Sequence, residues 1–182
     1  ATFDLILEMQ EAVMRAVVKW APVALAEPEN YEARANLMWA SSMALNTILD
    51  AGTVHGCACH AMEHELSAYY DITHGHGLAI VTPRWLEYIT NETTASSIYR
   101  LGIQVFGIEE GLEDMDGAKK TAEAVANFAF DTLGLEQSTL SGLNIGEEHF
   151  RDMAEHACGN GVINGIRSLN ADDVENIYKM CL

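Results

Sequence analysis

The fold of this chain is decided by residues 59–83, which read CHAMEHELSAYYDITHGHGLAIVTP. From Cys59 to about Tyr70, histidines recur four residues apart, a spacing that places them on one face of a helix. Residues 71–77 have the polar, glycine-containing composition of a turn. The apolar segment from Leu78 to Ile89 predicts a second helix, which tolerates Pro83 in its first turn or as a kink. This stretch therefore predicts two helices joined by a turn.

The same helical spacing of apolar residues continues on both sides of this stretch. Convincing strands with period-two alternation are absent, and so are internal repeats. Caps and stops support the helices: Asn30 precedes the second one, Asp116 is a good N-cap, and Gly134 is a stop signal. The sequence therefore predicts an all-α fold. The further helices are expected at residues 3–20, 31–49, 94–106, 116–133, 147–158 and 172–180.

Composition and charge exclude several classes of function. The chain has 182 residues, of which 27 are acidic and 10 basic, so its formal charge is −17. Nucleic-acid binding and adsorption to an anionic membrane surface both need a cationic footprint, which this balance opposes. The longest uncharged run, between Arg34 and Asp50, is too short and too polar to span a bilayer. The sequence shows no phosphate-binding glycine loop and no signal-peptide pattern. Its four cysteines are an even number, but the chain is too long and has too large a core to need a disulfide framework, so we expect a cytoplasmic protein with reduced thiols.

Histidines are concentrated in one part of the chain. Five of the seven fall within 22 positions, namely His55, His60, His64, His74 and His76. On a helix, His60 and His64 project from one face, and His74 lies beyond a turn that lets it fold back to the same point. Imidazole nitrogen is a preferred ligand of Zn²⁺ and Fe²⁺. The cluster therefore predicts a divalent metal site.

Two familiar zinc motifs do not match this cluster. In HAMEH, residues 60–64, the glutamate adjoins the second histidine, unlike the His-Glu-x-x-His order of metalloproteases. Glu63 and Glu65 are expected to point away from the His60/His64 face. The sequence from Cys57 to Cys59 lacks the two-residue gap of a zinc knuckle. Two other interpretations stay open: a helical binding or oligomerisation module with structural histidines, and a small zinc hydrolase that uses His60, His64 and His74.

Residues 60–83 resemble the histidine signature of the iron-containing (group III) alcohol dehydrogenases, most closely the butanol-dehydrogenase-like branch. Residues 27–40, EPENYEARANLMWA, and residues 177–182, IYKMCL, resemble that branch as well. The resemblance implies that residues 1–182 form a single all-α metal-binding domain, helical and bundle-like. This would be the C-terminal domain of the dehydroquinate synthase-like/iron alcohol dehydrogenase fold.

The resemblance also implies roles for individual residues. His60 and His74 match two of the family's metal ligands for Fe²⁺ or Zn²⁺. His64 matches the non-ligating histidine that lies near the nicotinamide of NAD(P) and helps to relay a proton. The family's other ligands come from an Asp-x-x-x-His motif, which is absent between Ala1 and His60. The match at Asp152 and His156 is better explained as a surface helix.

The resemblance thus implies a C-terminal fragment of an NAD(P)-dependent enzyme that interconverts primary alcohols and aldehydes. The first ligand motif and the nucleotide-binding domain would precede residue 1, and the non-methionine start at Ala1 fits a processed or excised terminus. We expect the isolated chain to bind metal weakly and to be inactive, because site strength depends on ligand number. The expected partners are a small alcohol or aldehyde, the missing N-terminal domain and a second copy in a homodimer.

Overall fold

The computed structural model describes residues 4–52, 56–159 and 161–182, and their regular structure is helical. Short 3₁₀ segments occur at Ile48–Asp50 and Ser141–Leu143, and π-helical turns at Gly102–Phe106 and Phe128–Thr132. The α-helices are α1 (Asp4–Ala26), α2 (Tyr31–Leu45), α3 (Ala58–Tyr70), α4 (His74–Ile89), α5 (Ala95–Leu101), α6 (Asp114–Asn127), α7 (Phe150–Cys158) and α8 (Ala171–Met180).

The all-α prediction is confirmed. The described residues contain no strand, and their one β-type pairing is an isolated antiparallel bridge between Ile163 and Leu169. Among the described helices, none combines the length and the apolar composition needed to cross a lipid bilayer.

Helices α1 and α2 form an antiparallel pair at the start of the chain. Asn30 caps α2 as predicted, and its side chain accepts a hydrogen bond of 3.0 Å from the backbone N–H of Ala33. The one buried side chain in the described part of α1 is Glu11, which pairs with Arg100 of α5 at 2.7 Å. This pair contributes to joining the hairpin to the rest of the helices.

The core lies where α3, α4, α7 and α8 meet, and it fixes the inner face of α3. Met62 and Leu66 of α3 are fully buried against Phe150 and Tyr178. The Tyr178 hydroxyl donates a hydrogen bond of 2.7 Å to the carbonyl oxygen of Met62, and its ring centroid lies 5.3 Å from that of Phe150. Because the inner face is held in this way, the opposite face of α3 presents its histidines in a defined orientation.

Several predicted helix boundaries are wrong, including the end of α2, which lies at Leu45 rather than near residue 49. Helix α1 continues through Pro22 to Ala26 rather than ending near Trp20, and α6 begins at Asp114 rather than after Asp116. The difference that bears on the site is at α4, which begins at His74, a full turn before Leu78. There the N–H groups of residues 76 and 77 both donate to the carbonyl of Thr73, at 2.9 and 3.1 Å. The HGHG segment is therefore the first helical turn and not a loop.

Candidate metal centre

The connection between α3 and α4 is only three residues long, from Asp71 to Thr73. Asp71 ends α3 in the left-handed conformation, with φ of 53°, and its N–H donates to the carbonyl of Ser67 at 2.9 Å. An aspartate tolerates this conformation better than most residues because of its short polar side chain. The tight reversal brings His74, the first residue of α4, back against the side of α3.

The rings of His60, His64 and His74 converge on one side of the α3–α4 hairpin. The ring centroids of His60 and His64 are 6.1 Å apart, and the centroid of His74 lies 5.3 Å from the first and 5.4 Å from the second. All three residues are exposed. The residues that the sequence analysis singled out thus lie together at the surface of the hairpin.

Beneath these rings lies Glu63, whose side chain is fully buried between α3 and α4. One carboxylate oxygen, Oε2, pairs with Nδ1 of His74, and the other, Oε1, accepts a hydrogen bond of 2.5 Å from the Ser67 hydroxyl. Sequence reasoning set Glu63 aside because it points away from the His60/His64 face. That expectation overlooked its contact with His74. The carboxylate lies against Gly77, the position of α4 where any larger side chain would meet it.

The donor groups of this cluster fit a divalent cation. One ligand atom from each of Glu63, His64 and His74 lies within 4.8 Å of the others, and the His60 ring adjoins them. Partial burial, together with the neighbouring imidazoles of His74 and His64, lowers the pKa of His60 below its ordinary value. A lowered pKa keeps an imidazole neutral, which is the form that binds metal. Imidazole with carboxylate is a donor set that suits Zn²⁺ and Fe²⁺.

The remaining histidines lie elsewhere. His76 turns away from the cluster, and its Nε2 is 2.6 Å from the carbonyl oxygen of Gln137. His156 lies on α7, exposed to solvent, with its Nδ1 3.4 Å from the Tyr69 hydroxyl. Its partner in the Asp-x-x-x-His match, Asp152, is exposed as well, so that match is on a surface helix as predicted. His55 lies outside the described residues.

Among the described residues, no cysteine belongs to the group of possible metal ligands, and none of the four cysteines is in a disulfide. Burial raises the pKa of Cys59 to about 12, and it does the same for Cys181 in the core. A thiol must lose its proton to bind zinc, so a raised pKa opposes metal binding.

The raised pKa values predict a loss of stability at alkaline pH. In the unfolded chain these thiols ionise near their ordinary pKa of 9.0, whereas in the fold they keep their protons until about pH 12. Ionisation then favours the unfolded state, so their stabilising contribution is present below pH 9.0 and is lost as the pH rises toward 12. Urea midpoints measured across this range should fall with pH. Cys59→Ala should flatten the decline, while replacement of the exposed Cys57 should not; equal slopes would contradict the prediction.

The chain matches a family model along almost its whole length. Residues 3–182 match the model described as "Fe-containing alcohol dehydrogenase family, C-terminal". NADH-dependent butanol dehydrogenase A of Clostridium acetobutylicum is 44% identical over 171 residues, which are 93% of this chain and 43% of that protein. NADH-dependent butanol dehydrogenase B of the same organism is 43% identical over 94% of this chain and 44% of its own length. The chain thus spans less than half of the curated relatives it matches.

Solved structures agree with the sequence matches. The crystal structure of NADH-dependent butanol dehydrogenase A from Thermotoga maritima superposes with a TM-score of 0.87 at 30% identity, over 100% of this chain and 47% of that one. Escherichia coli YqhD gives a TM-score of 0.84 at 29% identity, over 94% of this chain and 44% of its own. Since the family model covers residues 3–182 and the fold agrees, the chain belongs to the Fe-containing alcohol dehydrogenase family and matches its C-terminal part.

Proposed function

We propose that this chain is the metal-binding part of an NAD(P)-dependent alcohol dehydrogenase that interconverts primary alcohols and aldehydes. The observation that carries the proposal is the convergence of His60, His64 and His74 on one hairpin of a chain from this family. Curated relatives are described as NADH-dependent butanol dehydrogenases and an NADPH-dependent aldehyde reductase, which supports a small primary alcohol or aldehyde as the substrate.

In this proposal His60 and His74 hold Fe²⁺ or Zn²⁺ through ring nitrogens. A bound divalent cation would polarise the alcohol oxygen and favour its alkoxide form. His64 does not bind the metal; its imidazole, 5.4 Å from His74 between centroids, lies close enough to the centre to accept and pass on the hydroxyl proton. As the family resemblance implies, it would also lie near the nicotinamide end of a bound cofactor. A neutral His60 is ready to bind metal without first losing a proton.

The proposal assigns the dinucleotide to a separate N-terminal domain. With a charge of −17 and no phosphate-binding glycine motif in its sequence, this chain offers poor complementarity to a pyrophosphate. Residues 1–182 would act as one all-α domain, paired with that partner in a cytoplasmic enzyme that forms homodimers.

Complementation tests this proposal. The purified chain, supplied with NADH or NADPH, Fe²⁺ or Zn²⁺ and butyraldehyde, is expected to show no cofactor oxidation. Addition of the N-terminal half of a butanol dehydrogenase relative, which carries the nucleotide-binding domain and the Asp-x-x-x-His motif, should produce oxidation. The same mixture made with His64→Ala is the matched control and should be nearly inactive. Turnover by the chain alone, or none in any mixture, would contradict the proposal.

The convergence of three imidazoles also fits the small zinc hydrolase considered from the sequence, since such a site needs three ligands and a bound water. Family membership favours the dehydrogenase. Hydrolysis of an activated ester by the Zn²⁺-loaded chain, lost equally in alanine variants of His60, His64 and His74, would favour the hydrolase instead.

A further inference from the structure

We propose that Glu63 is a positioning residue for the metal ligand His74. Its buried carboxylate accepts the Nδ1 hydrogen of His74 and thereby directs the opposite nitrogen, Nε2, toward the cation. This inference rests on the proposed function, in which His74 binds the metal.

Glu63 places a charged group in the interior. The Glu63 side chain has no solvent exposure, and a carboxylate in such a place is costly unless it is paired and hydrogen-bonded. Here Oε1 accepts from the Ser67 hydroxyl at 2.5 Å, and Oε2 faces Nδ1 of His74. The burial of this carboxylate is costly, and its Oε2 lies against the ring of a histidine in the candidate site. We therefore assign the carboxylate a role in that site.

The chemistry of the imidazole ring links this carboxylate to the tautomer of His74. A neutral histidine has one N–H donor and one nitrogen with a free lone pair, and the hydrogen bond at one nitrogen sets which is which. Because Nδ1 faces a carboxylate, which only accepts, the hydrogen belongs on Nδ1 and the lone pair on Nε2. Metal-binding histidines very commonly donate their other ring N–H to a carboxylate or a carbonyl, which fixes the ring and raises its basicity.

Helix α4 leaves space for this carboxylate at Gly77. A Cβ atom there would lie 2.7 Å from both Cγ and Oε1 of Glu63, closer than packed atoms approach. At Gly75, which is two residues earlier in α4 and exposed, a Cβ atom would meet nothing within 4 Å. The close approach of the two helices at Gly77 thus accommodates Glu63 in its buried position.

Direct coordination by Glu63 is the competing role, because its carboxylate lies within 4.8 Å of ligand atoms of His64 and His74. The positions of its two oxygens argue against it. One is bonded to Ser67 and the other to the inner side of the His74 ring, and both are buried while the three rings are exposed. The carboxylate therefore lies behind the His74 ring.

The test combines ring tautomer and metal affinity in the 182-residue chain. Long-range ¹H–¹⁵N spectra of the metal-free protein at alkaline pH report which nitrogen of His74 carries the hydrogen, and competition with a chromophoric chelator reports Zn²⁺ affinity. Glu63→Met keeps the length of the side chain and removes the acceptor, in a buried place where an apolar group is tolerated. Glu63→Gln keeps a neutral acceptor, and Glu65→Met is the matched control on the same helix.

Wild type should show His74 with its hydrogen on Nδ1. Glu63→Met should lose this preference and bind Zn²⁺ about 10–100-fold more weakly, Glu63→Gln should fall between, and Glu65→Met should match wild type. Gly77→Ala, which displaces the carboxylate, should act like Glu63→Met, whereas Gly75→Ala should not. Far-UV circular dichroism checks that each variant is folded.

Three outcomes would overturn the inference. In the first, wild-type His74 carries its hydrogen on Nε2. In the second, Glu63→Met keeps wild-type tautomer and affinity. In the third, Glu63→Met abolishes binding while the tautomer stays unchanged, which would make Glu63 a ligand. A wild-type chain that binds no Zn²⁺ would contradict the proposed function instead, and the tautomer would still decide whether Glu63 positions His74.

Discussion

Alanine at His60 or His74 is expected to weaken Zn²⁺ binding more than about 100-fold. This loss is larger than the about 10–100-fold expected when a hydrogen-bond partner of a metal ligand is removed. Each substitution removes a nitrogen that the proposed function assigns to the metal, in a chain that supplies only part of the ligand set. Chelator competition on the purified chain measures the effect. In the complemented enzyme, the same variants should have no measurable turnover.

His64→Ala separates the two roles. It should leave Zn²⁺ affinity close to wild type and lower turnover in the complemented enzyme by about 10²–10⁴-fold, the range for losing a general acid–base group. In the opposite result, His64→Ala loses the metal and His60→Ala keeps it. His64 would then be the metal ligand and His60 the proton-relay residue, which is compatible with the close approach of His64, His74 and Glu63. Unchanged affinity in all three variants would favour the helical module with structural histidines.

Phe150→Ala is expected to lower the free energy of unfolding by about 3–5 kcal/mol, a large share of the ~5–15 kcal/mol typical of a folded domain. Phe150 is 1% exposed and packs against Tyr178, which holds the backbone of α3 through Met62. Urea unfolding followed by circular dichroism measures the loss. Phe106→Ala is the matched control: that ring is only partly buried, so the loss should be clearly smaller. Equal losses would show that the α3–α7–α8 core is not the main source of stability.

Much of the helical architecture could be predicted from periodicity and capping residues. Asn30 caps α2 as predicted. Gly134, with φ of 73°, lies just after the π-helical turn Phe128–Thr132 that extends α6. Both features could be predicted because they depend on local backbone chemistry. The start of α4 was predicted four residues too late, because the two glycines of the HGHG segment are typical of a turn. In the structure Thr73 is the N-cap residue, and the helix begins at His74. The π-helical turns Gly102–Phe106 and Phe128–Thr132 extend α5 and α6. They change the spacing of apolar residues too little to be recognised in the sequence.

The candidate site was predicted less completely than the fold. His60 and His64 share a face for a purely local reason, their spacing of four residues, and resemblance supplied the role of His74. Glu63 could not be assigned in this way, because a helical wheel shows only that it points elsewhere. Its contact with His74 depends on how closely α4 approaches α3 at Gly77, and that distance is set by tertiary packing.

The three-residue connection between α3 and α4 also limits how the chain can vary in length. Because successive residues of an α-helix are rotated by about 100°, one residue gained or lost between His60 and His74 would turn one ring away from the others unless the reversal absorbed it. Asp71 already has the left-handed conformation, and Thr73 is already the N-cap residue of α4. The three-residue reversal therefore has no spare residue that could absorb such a change. Insertions and deletions should therefore be damaging here.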